Sequence, residues 1–265
     1  MKQAILFLIV ITIGFKSSAQ IGGLSGSKLG SYTVDVVDDK KIEFEPTFGH
    51  ARASHYYDGN GNLQSIYSTS DSLKIVTAMS FRFTYGLWNK IEMGMTVSTD
   101  LSAAAFGFRY AFLQKQKYGL GFISGLNVPL GNRTVDQTVR ATGNIPQLGF
   151  GLVGSYAFTD NLSFDLTGQY VHFLRTTSDR DKGGIHLNTD LGYYIFDHRL
   201  QFVGGLGYHY IKNNVGAHQI LTLFPGITVE ASKDFILVIS VPVDVYGQLE
   251  NKNVGFSFSL TLTFD

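Results

Sequence analysis

The stretch KIVTAMSFRFTY, residues 74–85, decides the fold. Its odd positions (Ile75, Thr77, Met79, Phe81, Phe83 and Tyr85) form one face, and Lys74, Val76, Ala78, Ser80, Arg82 and Thr84 form the other. Large apolar residues at every second position mark a strand with two unlike faces, because successive side chains point to opposite sides. The split recurs in Phe106, Phe108, Tyr110 and Phe112 against Ala105, Gly107, Arg109 and Ala111. It recurs again in Leu187, Thr189, Leu191, Tyr193 and Ile195, and in Phe256, Phe258, Leu260, Leu262 and Phe264. After Asp39 no 3.6-residue apolar period and no second long apolar run competes with it.

Extending this reading places strands near 42–55, 73–87, 91–99, 102–113, 118–128, 147–158, 162–174, 185–196, 200–212, 218–231, 235–246 and 254–264. Most are about 10 to 15 residues long, against about 5 or 6 in soluble sheets. A tilted strand crossing a membrane needs about 9 to 11. Charge points the same way. Through the bodies of these strands the apolar parity, roughly sixty positions, carries no Asp, Glu, Lys or Arg, as expected where a charge facing lipid costs about 2–4 kcal/mol at the midplane. A soluble sandwich core about 10 Å thick could not hold so many large side chains.

The connections agree. Short turns near Trp88 to Lys90, Gln114 to Lys117, Thr159 to Asn161, Asp197 to Arg199 and Ser232 to Asp234 alternate with longer links at Asp58 to Ser72, Pro129 to Pro146, Arg175 to Gly184 and Gln248 to Asn253. The links near Asp100 and Asn213 are short on the long-loop side. Outer-membrane barrels have short periplasmic turns, longer outer loops and an even strand count. Tyr85, Tyr110, Phe112, Tyr118, Tyr156, Phe158 and Tyr193 gather at the short-turn ends, where an interfacial girdle belongs. The expected fold is all-β: a single up-and-down antiparallel transmembrane barrel of about 12 strands.

Composition excludes several classes of function. The 265 residues hold no cysteine, 16% charged residues, 30 glycines and a formal net charge of zero. This removes thiol chemistry, cysteine-ligated metals and a disulfide scaffold, and it leaves no basic footprint for nucleic acid. At the N-terminus, Lys2, the apolar run Ala4 to Phe15 and the small residues Ser17-Ser18-Ala19 read as a signal peptide, residues 1–19, cut before Gln20. Residues 20–41 are then either a periplasmic N-terminal segment or a partial plug, and residues 42–265 are the barrel.

The inward parity carries Glu43, Glu45, Lys74, Arg82, Glu92, Arg109, Asp165, Gln169, His186, Asn188, Asp190, His209 and Asp244. The candidates for lining or selecting a solute are Arg82, Glu92, Arg109, Asp165, His186, Asp190, His209 and Asp244. Arg82, Glu92 and Arg109 fall on three neighbouring strands, where they can pair and brace the wall or form a charged constriction. Glycine lines much of the same face, at Gly94, Gly107, Gly119, Gly121, Gly149, Gly151, Gly192, Gly205 and Gly207. Glycine relieves crowding where a strand bends. In a barrel of about twelve strands it also points to a narrow open passage.

No catalytic motif emerges. Barrel phospholipases and deacylases use a His-x-Ser pair, and none of the seven histidines has a serine two residues on. Neither a recognisable triad motif nor a metal-binding histidine spacing is present, so neither an enzyme nor a cofactor or metal site is expected.

Leu126-Asn127-Val128-Pro129-Leu130-Gly131, the hairpin Gly86 to Gly94 and the strand Val241-Pro242-Val243-Asp244-Val245-Tyr246-Gly247 resemble segments of the phenol-degradation meta-pathway transporter family. Leu130 departs from it, since that family usually has Thr or Ser after the proline. The resemblance implies an outer-membrane barrel, from about residue 42 to the end, passing small organic compounds, aromatic ones among them. The final strand resembles the C-terminal signal read by the barrel-assembly machinery, with Phe264 penultimate and Asp265 last. The expected setting is the outer membrane of a Gram-negative bacterium, with its lipid and lipopolysaccharide as partners. Two functions fit: a passive porin-like channel for small solutes, or a structural or adhesive barrel with a closed lumen and binding outer loops.

Overall fold

The computed structural model describes residues 21–26, 29–67, 72–130, 145–174, 180–213, 216–232 and 234–265. The signal-peptide assignment lies outside these residues. Alternation of side chains gives long strands: β1 (Ile42–Tyr57), β2 (Leu63–Ser65), β3 (Lys74–Trp88), β4 (Ile91–Ser98), β5 (Ala103–Gln114), β6 (Tyr118–Pro129) and β7 (Gln147–Ala157). The second half comprises β8 (Leu162–Phe173), β9 (Arg180–Ile195), β10 (Leu200–Asn213), β11 (Gly216–Ser232), β12 (Phe235–Ser240), β13 (Val243–Gln248) and β14 (Glu250–Phe264).

All pairings are antiparallel between neighbours, and β14 closes on β1, with Phe264 opposite Ile42 and Ser259 opposite Thr47. Twelve staves make the barrel. The short β2 pairs only with the outer end of β1, and β12 and β13 are two halves of one stave. The break between them falls at Val241-Pro242, beside Pro225 of β11. Proline lacks the N–H a ladder needs. The neighbouring amides compensate, Val241 N donating to Pro225 O at 2.9 Å and Gly255 N to Pro242 O at 2.8 Å.

Several strands run further towards the long-loop rim than the hydrophobic pattern indicates. β9 begins at Arg180 rather than 185, β11 at Gly216 rather than 218, and β14 at Glu250 rather than 254. These extensions hold charged, amide and small residues and no large apolar one, so they carry no period-two signal, and the ladder alone orders them.

The outward face is apolar and exposed, including Phe81, Phe83, Phe106, Phe108, Leu152 and Leu191. The seven aromatics assigned to the short-turn girdle are all exposed outward. Arg52, on the same parity as Phe44 and Phe48, is also exposed, towards the long-loop end of β1 where it pairs with Ile75. A charge there suits the headgroup zone, where the penalty for leaving water is small. The inward face is buried, because the described residues 21–26 and 29–37 of the N-terminal segment lie inside the barrel. Ile21, Leu24, Tyr32 and Val34 pack with Ala111, Ile123 and Val153 of the wall.

Candidate functional site: the occupied lumen

The N-terminal segment has no strand of its own to satisfy its backbone, so the wall does it with side chains. Ile21 N donates to Gln169 Oε1 at 3.0 Å, and Gly23 N to Thr96 Oγ1 at 2.9 Å. Tyr32 N donates to Thr167 Oγ1 at 2.8 Å, and Val34 N to Ser155 Oγ at 3.0 Å. Within the segment, Thr33 N donates to Gly26 O at 3.1 Å, and the Tyr32 hydroxyl reaches Ile21 O, folding the segment back on itself. Burial pushes the pKa of the Tyr32 phenol up to about 12, since the phenolate would lose its water.

Two carboxylates hold the segment most firmly. Asp190 Oδ2 accepts from Leu29 N, Gly30 N and Ser31 N at 3.2, 3.1 and 2.9 Å, and from Ser31 Oγ at 2.7 Å. Glu92 accepts from Ser25 N at 2.9 Å and Val37 N at 2.8 Å, and from the Ser25 hydroxyl. Successive backbone amides converging on one oxygen form a nest, the arrangement backbone offers an anion.

The expected cluster of Arg82, Glu92 and Arg109 separates into two pairs. Arg109 meets Glu92 at 2.6 Å with both side chains fully buried, as their register on β4 and β5 requires. Arg82 turns instead to β1, bonding Glu43 and, at 2.8 Å, Glu45. Both arginines also donate to the segment: Arg82 to Leu24 O, and Arg109 to Thr33 O at 2.7 Å and Ser25 O at 3.1 Å. They brace the wall and grip what lies within it.

The other candidates are more dispersed. Asp165 faces Asp190 across β8 and β9 and accepts from Ser155 Oγ at 2.6 Å. His186 and His209, register partners on β9 and β10, stack with ring centroids 4.3 Å apart. Asp244 lies beyond the break in its stave, accepting from Thr222 Oγ1 at 2.6 Å and from Asn253 N at 2.9 Å. The segment residues Ser25, Ser31 and Tyr32 were not among the candidates, and no periodicity marks them. Only the glycine- and serine-rich stretch from Gly22 to Gly30, which holds Ser25 and ends beside Ser31, stands out there in the sequence.

The glycines correct the reading of an open passage. A Cβ on Gly94 would lie 2.2 Å from Gly23 O, and one on Gly107 would lie 2.2 Å from Gly22 O. On Gly119 it would meet Val34 Cγ1 at 2.9 Å, and on Gly149 it would meet Ile21 Cγ1 at 2.6 Å. These positions form a groove into which the segment settles. Others have neighbours on the wall itself, as at Gly192, where a Cβ would strike Gln201. Missing side chains were read as space, but the chain's own N-terminal residues fill much of it. On the short-turn side a cavity of about 460 Å3 remains.

No family model matches the chain, and no curated protein matches it in sequence. Solved structures do. An outer membrane channel of the COG4313 group from Pseudomonas putida F1 superposes with a TM-score of 0.66 at 13% identity, covering 87% of this chain and 98% of that one. The NanC porin gives 0.57 at 10% identity, over 83% and 98%, and the KdgM porin 0.53 at 11%, over 83% and 99%. The barrel described above is thus a fold shared with outer-membrane channels and porins.

Proposed function

We propose that this protein is an outer-membrane channel for passive uptake of small organic solutes, closed at rest by its own residues 21–37. The observation that carries this reading is the way the segment is held. It is bonded to wall side chains such as Gln169, Thr96, Thr167, Asp190 and Glu92, not built into the ladder. An occupant held so can leave while the barrel's own hydrogen bonds stay intact. Passage would be diffusion down a gradient, with no cofactor and no covalent step. Arg82, Glu92, Arg109, Asp165, His186, Asp190, His209 and Asp244 would line the opened path. Export by the N-terminal signal and insertion by the assembly machinery complete the reading. The preference for apolar or aromatic solutes rests on the resemblance noted in the sequence.

The experiment is conductance in planar bilayers together with liposome swelling, using sugars, amino acids and small aromatics. The full chain should conduct weakly, and a chain lacking residues 21–37 should conduct several-fold more. The alternative, a closed barrel whose outer loops bind, draws on the packing of Ile21, Leu24 and Val34 against the wall. It predicts no conductance from the full chain at any voltage and no swelling with any solute.

A further inference from the structure

Among the strand residues whose side chains are described, Arg52 and Lys252 are the only arginine and lysine on the outward face. They stand together at the long-loop end of the seam between β1 and β14. Arg52 is opposite Val254 in the ladder, so Lys252 is its diagonal neighbour, about 7–8 Å away. The adjacent Asn253 turns inward, its Nδ2 donating to Asp244 Oδ2 at 2.8 Å, which sends Lys252 outward. Neither cation has a hydrogen bond or an ion pair among the described residues. The nearest acid along β14, Glu250, is engaged with His218 at 3.2 Å. One step towards the membrane centre, His50 Nδ1 and Thr77 Oγ1 lie 3.0 Å apart. From Phe256, opposite His50, the seam is hydrocarbon, with the Phe48 and Phe258 rings stacked 5.4 Å apart.

Two like charges side by side on one face repel unless an anion lies between them. Aromatic rings below and two uncompensated cations above fit an amphiphile with apolar chains and an anionic head. A phosphate monoester carries a charge of about −1.5 to −2 and three acceptor oxygens, a match for two cations, whereas a phosphodiester carries a single charge. The arginine fork takes two of those oxygens and the lysine adds a point charge. The long-loop end of an outer-membrane barrel faces outward, into a leaflet of lipopolysaccharide whose lipid A bears phosphate monoesters. We infer that Arg52 and Lys252 bind a lipid A phosphate, with its acyl chains along Phe256, Phe48 and Phe258. A lipid bound there clasps the first stave to the last. The inference needs the barrel to stand in an outer membrane, and it holds whether or not the barrel conducts.

The test is native mass spectrometry of the full chain, titrated in micelles with phosphorylated lipid A, dephosphorylated lipid A, phosphatidylglycerol or inorganic phosphate. Phosphorylated lipid A should bind about tenfold or more tightly than either other lipid, and inorganic phosphate alone should leave no adduct. Arg52→Gln and Lys252→Gln should each weaken it by about tenfold. Arg52→Lys should lose less than Arg52→Gln, because it keeps the charge and gives up only the fork. Lys90→Gln, on the exposed turn at the opposite rim, should leave binding unchanged. Equal binding of the dephosphorylated lipid overturns the inference. So does undiminished binding by Arg52→Gln with Lys252→Gln in barrels that keep heat-modifiable gel mobility. Equal binding of phosphatidylglycerol overturns it too, since any anionic lipid would then serve.

Discussion

Asp190 Oδ2 and the Ser31 amide lie 2.9 Å apart, and the same oxygen also takes the two preceding amides and the Ser31 hydroxyl. One carboxylate oxygen thus holds the turn of the N-terminal segment. Charge-assisted hydrogen bonds are about twice as strong as neutral ones. Asp190→Asn should therefore cost the docked segment about 2–4 kcal/mol, raising the undocked-to-docked ratio roughly 30- to 1,000-fold. Single-channel recording should show shorter closed intervals. A closed-time distribution unchanged from the parent would refute the assignment.

Gly149 offers a steric version of the same test. A side chain there meets Ile21 first and no other group closer than 3.8 Å. Gly149→Leu should displace Ile21 at a cost of about 1–3 kcal/mol and leave the barrel folded. Limited proteolysis from the short-turn side should then cut within residues 21–37. At Gly204 nothing lies within 4 Å of an added Cβ, so Gly204→Leu should protect the segment as the parent does.

The absence of cysteine makes a reversible lock clean to read. A Cβ built on Gly119 lies 3.2 Å from Val34 Cβ, a few tenths of an ångström short of the usual disulfide range of about 3.5–4.5 Å. Val34→Cys with Gly119→Cys should close the proposed channel when oxidised and restore parental conductance on reduction. Conductance insensitive to redox state, with the bond shown by mass spectrometry, would place the ion path elsewhere.

The Arg109–Glu92 pair should behave as buried ion pairs do. Removing one partner strands a charge and costs about 3–5 kcal/mol, whereas replacing both with apolar residues of similar volume is far milder. Arg109→Met alone should lower barrel stability sharply in urea titrations. Arg109→Met with Glu92→Met should recover most of it. The double variant should still hold its segment less well, because Ser25 N and Val37 N lose their acceptor.

Tyr32 gives a pH dependence with a definite sign. Burial raises its pKa to about 12, above the ordinary value near 10. Its contribution to docking is therefore complete below about pH 10 and lost as pH rises through about 12. Tyrosinate absorbance, taken as the difference between parent and Tyr32→Phe, should titrate late in the parent. In a chain carrying Gly149→Leu it should shift back towards the ordinary value. A Tyr32 signal that titrates near pH 10 in the parent would contradict the buried placement.

The barrel was legible because lipid imposes one rule on every stave: a strand such as 74–85 must alternate, so its faces can be read residue by residue. The same parity placed Arg82, Glu92, Arg109, Asp165 and Asp190 on the inner wall, where the structure has them. It could not say who would meet whom. Arg82 sits two strands from Arg109 on β3, yet its partners come from β1, a choice made by stagger. Least visible was what the wall encloses. Residues 21–37 have no period, since irregular backbone bonded to side chains needs none. Their signature lay in the groove opposite, at Gly94, Gly107 and Gly149, and a missing side chain reads the same whether it makes room for a solute or for the chain itself.

The seam between β1 and β14 sets the timetable of assembly. It joins Ile42 to Phe264, with Lys41 and Asp265 touching at 3.2 Å on the surface beside it. No cylinder exists until the final stave has been delivered, because its partner is the first. Until then the amides of β1 on that side stay unpaired, and hydrocarbon tolerates that poorly. Gly30, bonded to a carboxylate 160 positions later in the chain, must likewise await β9. The N-terminal segment is thus among the last parts of the chain to find its place.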